Sequence, residues 1–446
     1  MKRALREIKL SDHFSYGKLL RFTLPSIGMM IFTSIYGMVD GFFVSNFVGK
    51  VPFAAVNFIF PFLMILGTIG FMFGAGGSAL VSKTMGEHNM AKANRIFSLL
   101  VYASLILGVS IATLGIIFLR PIAAFLGAQG QMLDHCVTYG RVILLALPAF
   151  ILQLEFQNFF ITAEKPQLGL FVTIASGVTN MVLDAVLVIP FGLVGAALAT
   201  AMSQVVGGII PLIYFARPNS SLLRLGKTDF DGKALLKTCT NGASELMSNV
   251  SMSLVNVLYN IQLLKFAGED GIAAYGTMMY VNFVFLAAFI GYSIGTAPVI
   301  SFHYGAQNHG ELKSLLKKSC VIIGTCSVLM LVLGYVLAVP LSRLYAGYDP
   351  ALLELTVNGF RIFCLSFLFA GFAIFFSGFF TALNDGLTSA VISFLRTLVF
   401  QIAAVMLLPL VWGIDGIWWS VVVAEVMAVL VGILFLIAKR KKYQYA

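Results

Sequence analysis

Charge is what this sequence has least of. Its 446 residues include 29 Lys and Arg and 19 Asp and Glu, only 11% in all, against 59% hydrophobic residues. A soluble domain could not cover that much apolar surface with so few charges. Histidine is also scarce: His13, His88, His135, His303 and His309 all fall in loops or at the ends of apolar runs. With no HExxH motif and no Ser/His pairing inside an apolar run, a membrane-embedded enzyme is excluded. The five cysteines (Cys136, Cys239, Cys320, Cys326, Cys364) stand singly, without metal or redox spacing, and read as small apolar residues. Period-two alternation, the mark of a membrane barrel, is missing from the long apolar runs. So is a short re-entrant filter segment, which argues against a channel.

What remains is an all-α integral membrane protein, since lipid tolerates only helices or closed barrels. The mean hydropathy of +0.94 agrees. Twelve apolar spans can be drawn, at 20–48, 52–81, 96–119, 136–160, 167–190, 194–216, 238–264, 271–301, 319–341, 353–380, 387–411 and 416–438. The net charge of +10 follows their loops: 22 of the 29 basic residues lie on the side that holds both termini. That bias places the termini in the cytoplasm and makes the basic balance topology rather than a nucleic-acid surface. The N-terminal stretch MKRALREIKLSDHFSYGKLLR has no small-residue cleavage site and reads as a retained amphipathic helix leading into the first span.

The chain repeats itself. NFVGKVPFAAVN (46–57) resembles LKFAGEDGIAAYG (264–276), and TIGFMFGAGG (68–77) resembles FIGYSIGTAP (289–298). MGEHN (85–89) answers YGAQN (304–308), FFITA (159–163) answers FFTA (379–382), and GLVGAALAT (192–200) answers GIDGIWWSV (413–421), at offsets of 219 to 221 residues. An offset of six spans keeps the membrane orientation, so the halves are parallel repeats about an axis along the membrane normal. We expect an N-terminal six-helix lobe over 1–216, a linker over 217–237 and a C-terminal lobe over 238–446. Two such bundles enclose a central cleft, the architecture of a carrier.

Charges inside the spans are costly and point to function. From Phe22 to Gly49, Asp40 is the only charged residue. In VTNMVLDAVLVIP (178–190), Asn180 and Asp184 stand at i and i+4, on one helix face. Measured from the outer span ends, Asp40, Asp184, Asn180 and Thr200 all lie about 9–15 Å deep. Their oxygens suit a small hard cation; the crowded carboxylates alone suit a proton. The equivalent positions in the second half are Tyr259, Ala404 or Val405, and Val421, so the acids are not a requirement of the fold.

VDGFFVSNFVG, NMVLDAVLV and the repeated FFITAEKPQ and FFTALND stretches resemble the multidrug and toxic compound extrusion (MATE) family over essentially the whole chain. The resemblance implies a multi-pass antiporter of a prokaryotic plasma membrane, with no enzyme activity and no cofactor. It would act as a monomer, exporting bulky, partly hydrophobic small molecules against H⁺ or Na⁺. In DinF-like members two aspartates, an asparagine and a threonine bind the coupling ion, and Asp40, Asn180, Asp184 and Thr200 match them. Pro25 matches a proline at which the first span bends in some members; as plain sequence it fits a helix start equally well. NorM-like members carry acids in spans seven and ten. Glu245 fits the first, but Ala370 stands where the second would be, which puts a NorM-type ion site in doubt.

Tyr36, Asn57, Met279, Tyr280 and Asn282, on spans one, two and eight, are expected to face the cleft with Glu245 and meet cargo. Arg396 and Glu425, both near the midplane, should form a structural ion pair. Glu155 should reach the interface, and Arg141 and Arg361 should anchor the outer one. The alternative function is a flippase for a lipid-linked saccharide, but such a protein needs several cleft cations for pyrophosphate, and only Arg396 lies deep in a span.

Overall fold

The computed structural model describes residues 8–347 and 349–446, and all regular structure among them is helical. The helices are α1 (Tyr16–Phe47), α2 (Lys50–Gly86), α3 (Met90–Phe125), α4 (Gly130–Thr162), α5 (Pro166–Leu183), α6 (Ile189–Ala216) and α7 (Gly232–Gly305). They continue as α8 (His309–Ala346), α9 (Pro350–Cys364), α10 (Phe367–Ala382), α11 (Gly386–Phe394), α12 (Phe400–Leu407), α13 (Pro409–Trp412) and α14 (Ile414–Tyr443). At 1.5 Å per residue the 74 residues of α7 would reach about 110 Å, several times the hydrocarbon thickness. The helix therefore breaks at Gly268 (φ 63°, ψ −149°) and supplies spans seven and eight. Spans five and six part in the same way at Gly192, inside α6, so that span five is α5, the turn after it and the first residues of α6.

With α11 to α13 forming span eleven, twelve spans result among the described residues. Span ten, expected as one run over 353–380, is α9 and α10 bent by 45° between Cys364 and Phe367. Residues 1–7 of the expected N-terminal helix lie outside the described residues, and 8–15 are not helical.

The repeat is written into the backbone. Left-handed residues recur in pairs: Gly49 with Gly268, His88 with Gln307, Glu164 with Asn384, and Gly192 with Gly413. Each pair keeps the 219–221 offset of the sequence, so the two halves reverse direction at matching points.

The halves meet tightly at the face that carries the termini. A Cβ on Gly86 would lie 2.0 Å from the Phe302 carbonyl oxygen, and one on Gly305 would lie 2.0 Å from that of Lys83. Gly76 packs on Thr238 and Gly242, and Gly291 on Ser26 and Ile27. Towards the other face the same spans leave Phe42, Phe60, Met252 and Tyr280 exposed. Residues 8–15 strap the closed face. Leu10 donates its amide to Glu164 Oε1 (2.6 Å) in the first half, and Phe14 donates to Glu311 Oε1 (2.9 Å) in the second. Leu10 and Phe14 are both fully buried.

The C-terminal end is tied down as well. Asp385 caps α11 at the Thr388 amide (3.3 Å), accepts the Tyr443 hydroxyl (2.8 Å) and pairs with Lys439 (3.4 Å). Burial alone would raise the Asp385 carboxyl, but the Tyr443 hydroxyl, the Thr388 amide and the Lys439 ammonium together hold it below its usual value. A depressed carboxyl stabilises the docked tail above its unfolded pKa and loses that contribution only as pH falls through the lower, folded one. The tail should thus stay docked through neutral and mildly acidic pH. Asp385→Asn should loosen it by about 1 kcal/mol, visible as faster hydrogen exchange over residues 439–446.

Candidate functional site

Four residues from three helices converge in the first half. Asp40 sits in α1. Asn180 lies in the last turn of α5, where its amide faces Asp40. Asp184 opens a π turn over Asp184–Val188 that ends the α5 segment. Thr200, on α6, donates its hydroxyl to Asp40 Oδ1 at 3.4 Å. The π turn rewinds the helix by one residue, a local distortion often found at functional sites. It turns Asp184 towards Asp40, and the two carboxyls face one another.

Burial is close to complete for two of the four: Asn180 is 1% exposed and Asp184 0%. Neither oxygen of Asp184 nor Oδ1 of Asn180 finds a hydrogen-bond donor among the described residues. Among the described residues no Lys, Arg or His bears on either acid. Two carboxyls in one pocket, Asp184 fully buried and Asp40 partly so, with no cation beside them among the described residues, form an electrostatically incomplete set, which a proton or a small cation completes.

Two nearby residues were not foreseen. Tyr139, buried on α4, has its hydroxyl beside Thr200 and near both acids. Gln153 sits beside Tyr36 and donates to Ser176 Oγ at 3.1 Å. A tyrosine or glutamine in an apolar span carries no motif, so only the rotation of α4 about its axis reveals them. Tyr36 itself turns into the first half, away from the expected cleft: a Cβ on Gly177 would lie 2.7 Å from its ring. Asn57 is exposed, and its amide folds back on the Phe53 carbonyl of its own helix. Tyr280 is half exposed.

A cavity of about 220 Å³ lies in the second half. Glu245, Met279 and Asn282, expected at the cleft between the halves, line it, and so do Arg396 and Glu425. These last two form the foreseen ion pair: Arg396 Nε donates to both Glu425 oxygens (3.1 and 2.9 Å) and Nη2 to Oε1 (2.9 Å). Ala370, where a second acid was missing, is also on the wall. At the counterpart of the acidic site a neutral pair stands on the cavity wall: Tyr259 donates its hydroxyl to Gln401 Oε1 at 2.7 Å. Gln401 stands 221 residues beyond Asn180, and Tyr259 219 beyond Asp40.

Glu155 departs from expectation. It does not reach the interface but is 0% exposed between helices, with both oxygens lacking a hydrogen-bond partner among the described residues. An apolar run gives no sign of which side of α4 a single acid takes, and here it is turned towards Ser104 on α3. Arg361 lies over the Tyr335 ring, 4.9 Å from its centre. Pro25 is buried well inside α1, which begins at Tyr16, so it is not a helix start.

The chain resembles known proteins over its whole length. The multidrug export protein MepA of Staphylococcus haemolyticus is 26% identical over 434 residues, covering 95% of this chain and 94% of the relative. MepA of Staphylococcus aureus strain MRSA252 is 26% identical over 429 residues, with the same coverage. Two solved structures superpose with TM-scores of 0.92 at 21% identity. One is a MATE protein in complex with MaL6, covering 99% of this chain and 100% of that one. The other is the outward-facing conformation of a multidrug resistance MATE family transporter, covering 100% of both. The profile of the MatE family matches residues 25–186 and again 246–407, a displacement from 25 to 246 that equals the internal repeat. These two matches take in well over half of the sequence, one in each six-helix half, and the chain belongs to the MatE family.

Proposed function

We propose that the protein is a secondary active antiporter that exports bulky, partly hydrophobic, cationic small molecules in exchange for H⁺ or Na⁺ moving inward. The observation that carries this reading is the uncompensated pair Asp40 and Asp184, held with Asn180 and Thr200 in the first half. A structural acid pair would bring its own countercharge, as Glu425 does with Arg396. The MepA proteins named multidrug export proteins support the direction and class of cargo. Glu245, Met279 and Asn282 on the cavity wall are the cargo contacts, and Pro25, where α1 lacks one backbone hydrogen bond, is the hinge.

The face with both termini and the 217–237 loop is cytoplasmic, because that puts most basic residues inside. The protein works as a monomer in the plasma membrane, both halves of the cleft coming from one chain. An impermeant thiol reagent applied to intact cells should fail to label a single cysteine placed in the 217–237 loop; efficient labelling would reverse the orientation.

An inward monovalent cation supplies about 2.3 kcal/mol per 100 mV, enough to hold a gradient of about 50-fold for a cargo without net charge; against a monovalent cationic cargo exchanged one for one the charges cancel, and the concentration gradient of the ion is the driving force. Using it requires cation and cargo to favour different conformers, since a ligand that binds both equally shifts nothing. The acidic site takes the cation while the far side of the halves is open. By linkage, cargo and cation then weaken one another by the same factor. Equilibrium binding of a cationic dye to purified protein should therefore weaken as Na⁺ rises or pH falls, and that dependence should vanish in Asp40→Asn. Dye affinity indifferent to both ions in the native protein would refute the exchange.

A further inference from the structure

We propose that the face on which the two halves close carries a site for a doubly anionic phospholipid headgroup, its phosphate held between Lys83 of the first half and Lys237 and Lys442 of the second. The inference goes beyond export and depends on neither the coupling ion nor the cargo.

A lysine at the rim of a membrane protein needs only to reach water with its head. These three are held instead. Lys237, on α7, donates to the Asn384 carbonyl at 2.6 Å, in the turn that also reaches the Ala79 carbonyl of the first half. Lys83 Nζ, on α2, lies 5.6 Å from the centre of the Tyr304 ring, and Lys442 Nζ, on α14, lies 4.9 Å from that of Tyr443. Those two rings meet edge to face, 5.7 Å apart. Lys83 and Lys442 both bear on Lys237. Loss of water first, then the Lys83 ammonium, push Lys237 below its usual value, and Lys442 adds to them against the opposing Asp385. Like charges gathered in this way oppose one another until an anion joins them.

The acids nearby do not supply that anion. Asp385 is engaged by Lys439 at 3.4 Å and by the Tyr443 hydroxyl at 2.8 Å. Glu87 stands 3.6 Å from Lys83 in a pair open to water, which contributes little. Lys83, Lys237, Lys439 and Lys442 thus face only Asp385 and Glu87, and two positive charges are left over. A phosphomonoester carries the two negative charges that match them, and a phosphodiester carries one. A zwitterionic headgroup brings a cation of its own and gains nothing.

Apolar side chains beside the ammoniums favour a lipid over free phosphate. Leu236 precedes Lys237, Leu387 follows the Asp385 cap, and Ile437 stands ahead of Lys439 on α14; all three are exposed. Acyl chains can lie on them. Because Lys83 belongs to one half and Lys237 and Lys442 to the other, the headgroup ties the halves where Gly86 and Gly305 pass. Its binding and closure of this face then strengthen one another by the same factor.

The test is lipid binding to the purified full-length protein by native mass spectrometry, using phosphatidic acid, phosphatidylglycerol and phosphatidylcholine with the same acyl chains. Phosphatidic acid should bind at least ~10-fold more tightly than phosphatidylcholine, with phosphatidylglycerol between them. In Lys237→Gln/Lys442→Gln that preference should fall to within about 2-fold, and Lys83→Gln alone should lower it by about 5-fold. Arg440→Gln/Lys441→Gln removes as many charges from the exposed end of α14 and should leave it unchanged. Gly305→Val, which sets a side chain against the Lys83 carbonyl and parts the halves, should lower it as Lys83→Gln does. No preference in the native protein overturns the site, whether or not the variants fold. Equal losses in the two double variants also overturn it, since the tail is then drawn to any acidic lipid. A preference that survives Lys83→Gln or Gly305→Val overturns the bridge between the halves. Displacement of phosphatidic acid by an equal concentration of inorganic phosphate would overturn the lipid as the occupant.

Discussion

Asp40→Asn or Asp184→Asn is expected to reduce efflux of a fluorescent organic cation to the level of cells without the protein, a loss of at least about 10-fold. The fold should survive. Each change is nearly isosteric and removes a charge that no protein cation balances, so stability should move by no more than about 1 kcal/mol. The control lies at the equivalent place in the other half, where Tyr259 and Gln401 satisfy each other. Tyr259→Phe deletes one neutral hydrogen bond, worth about 1 kcal/mol, and efflux should stay within about 2-fold of native. Dye efflux measured beside thermal unfolding separates the two cases. Equal loss of efflux in all three variants, at equal stability, would move ion coupling away from the first half.

The second large effect concerns the seal between the halves. Gly86 and Gly305 are repeat equivalents, and each passes the backbone of the other half where a side chain cannot fit: an added Cβ would stand 2.0 Å from a carbonyl oxygen in either case. Ordinary contact needs about 3.4 Å, and interiors do not compress to absorb the difference. Gly305→Val must therefore push α2 and the end of α7 apart, a strain of about 1–3 kcal/mol that only the closed state feels. That is enough to shift a two-state balance by roughly 5- to 150-fold. A cysteine at Thr238, buried on the closed face, should become reactive to a thiol reagent in Gly305→Val, and efflux should fall by at least about 10-fold. Gly276, with no atom within 4 Å of an added Cβ, supplies the control: Gly276→Ala should change neither. A Thr238 cysteine as protected in Gly305→Val as in the parent would show that these glycines do not hold the face closed.

The sequence carried the span count, because apolar runs of this length have few alternatives, and the repeat, because its turns need left-handed residues at fixed places. It also placed Asp40, Asn180, Asp184 and Thr200 at one depth, since depth follows from counting residues back from a glycine at the end of a span. Rotation about the helix axis was much harder to read. In a span that is apolar all round, no stripe says which side is which. Glu155 therefore proved buried, Tyr36 turned towards α5, and Tyr139 went unnoticed. The bend in span ten left no trace either: Cys364, Leu365 and Ser366 include neither proline nor glycine, and a π turn such as the one at Asp184 has no side-chain signature.

Two of the paired turns have a consequence for anyone who would stabilise this protein. Glu164 and Asn384 both adopt left-handed backbone, at φ 60° and 59°, a conformation that costs a residue with a side chain about 1 kcal/mol and glycine almost nothing. Glycine at either turn would relieve that strain, but it would also untie the molecule. Glu164 is where the N-terminal strap begins. Asn384 grips Asn241 (2.7 Å) and reaches across to the Ala79 carbonyl (3.2 Å) in the other half. The substitution that looks most favourable for thermal tolerance is thus the one that loosens the clamp between the halves, so hardening this protein and keeping it working are opposed at these two positions.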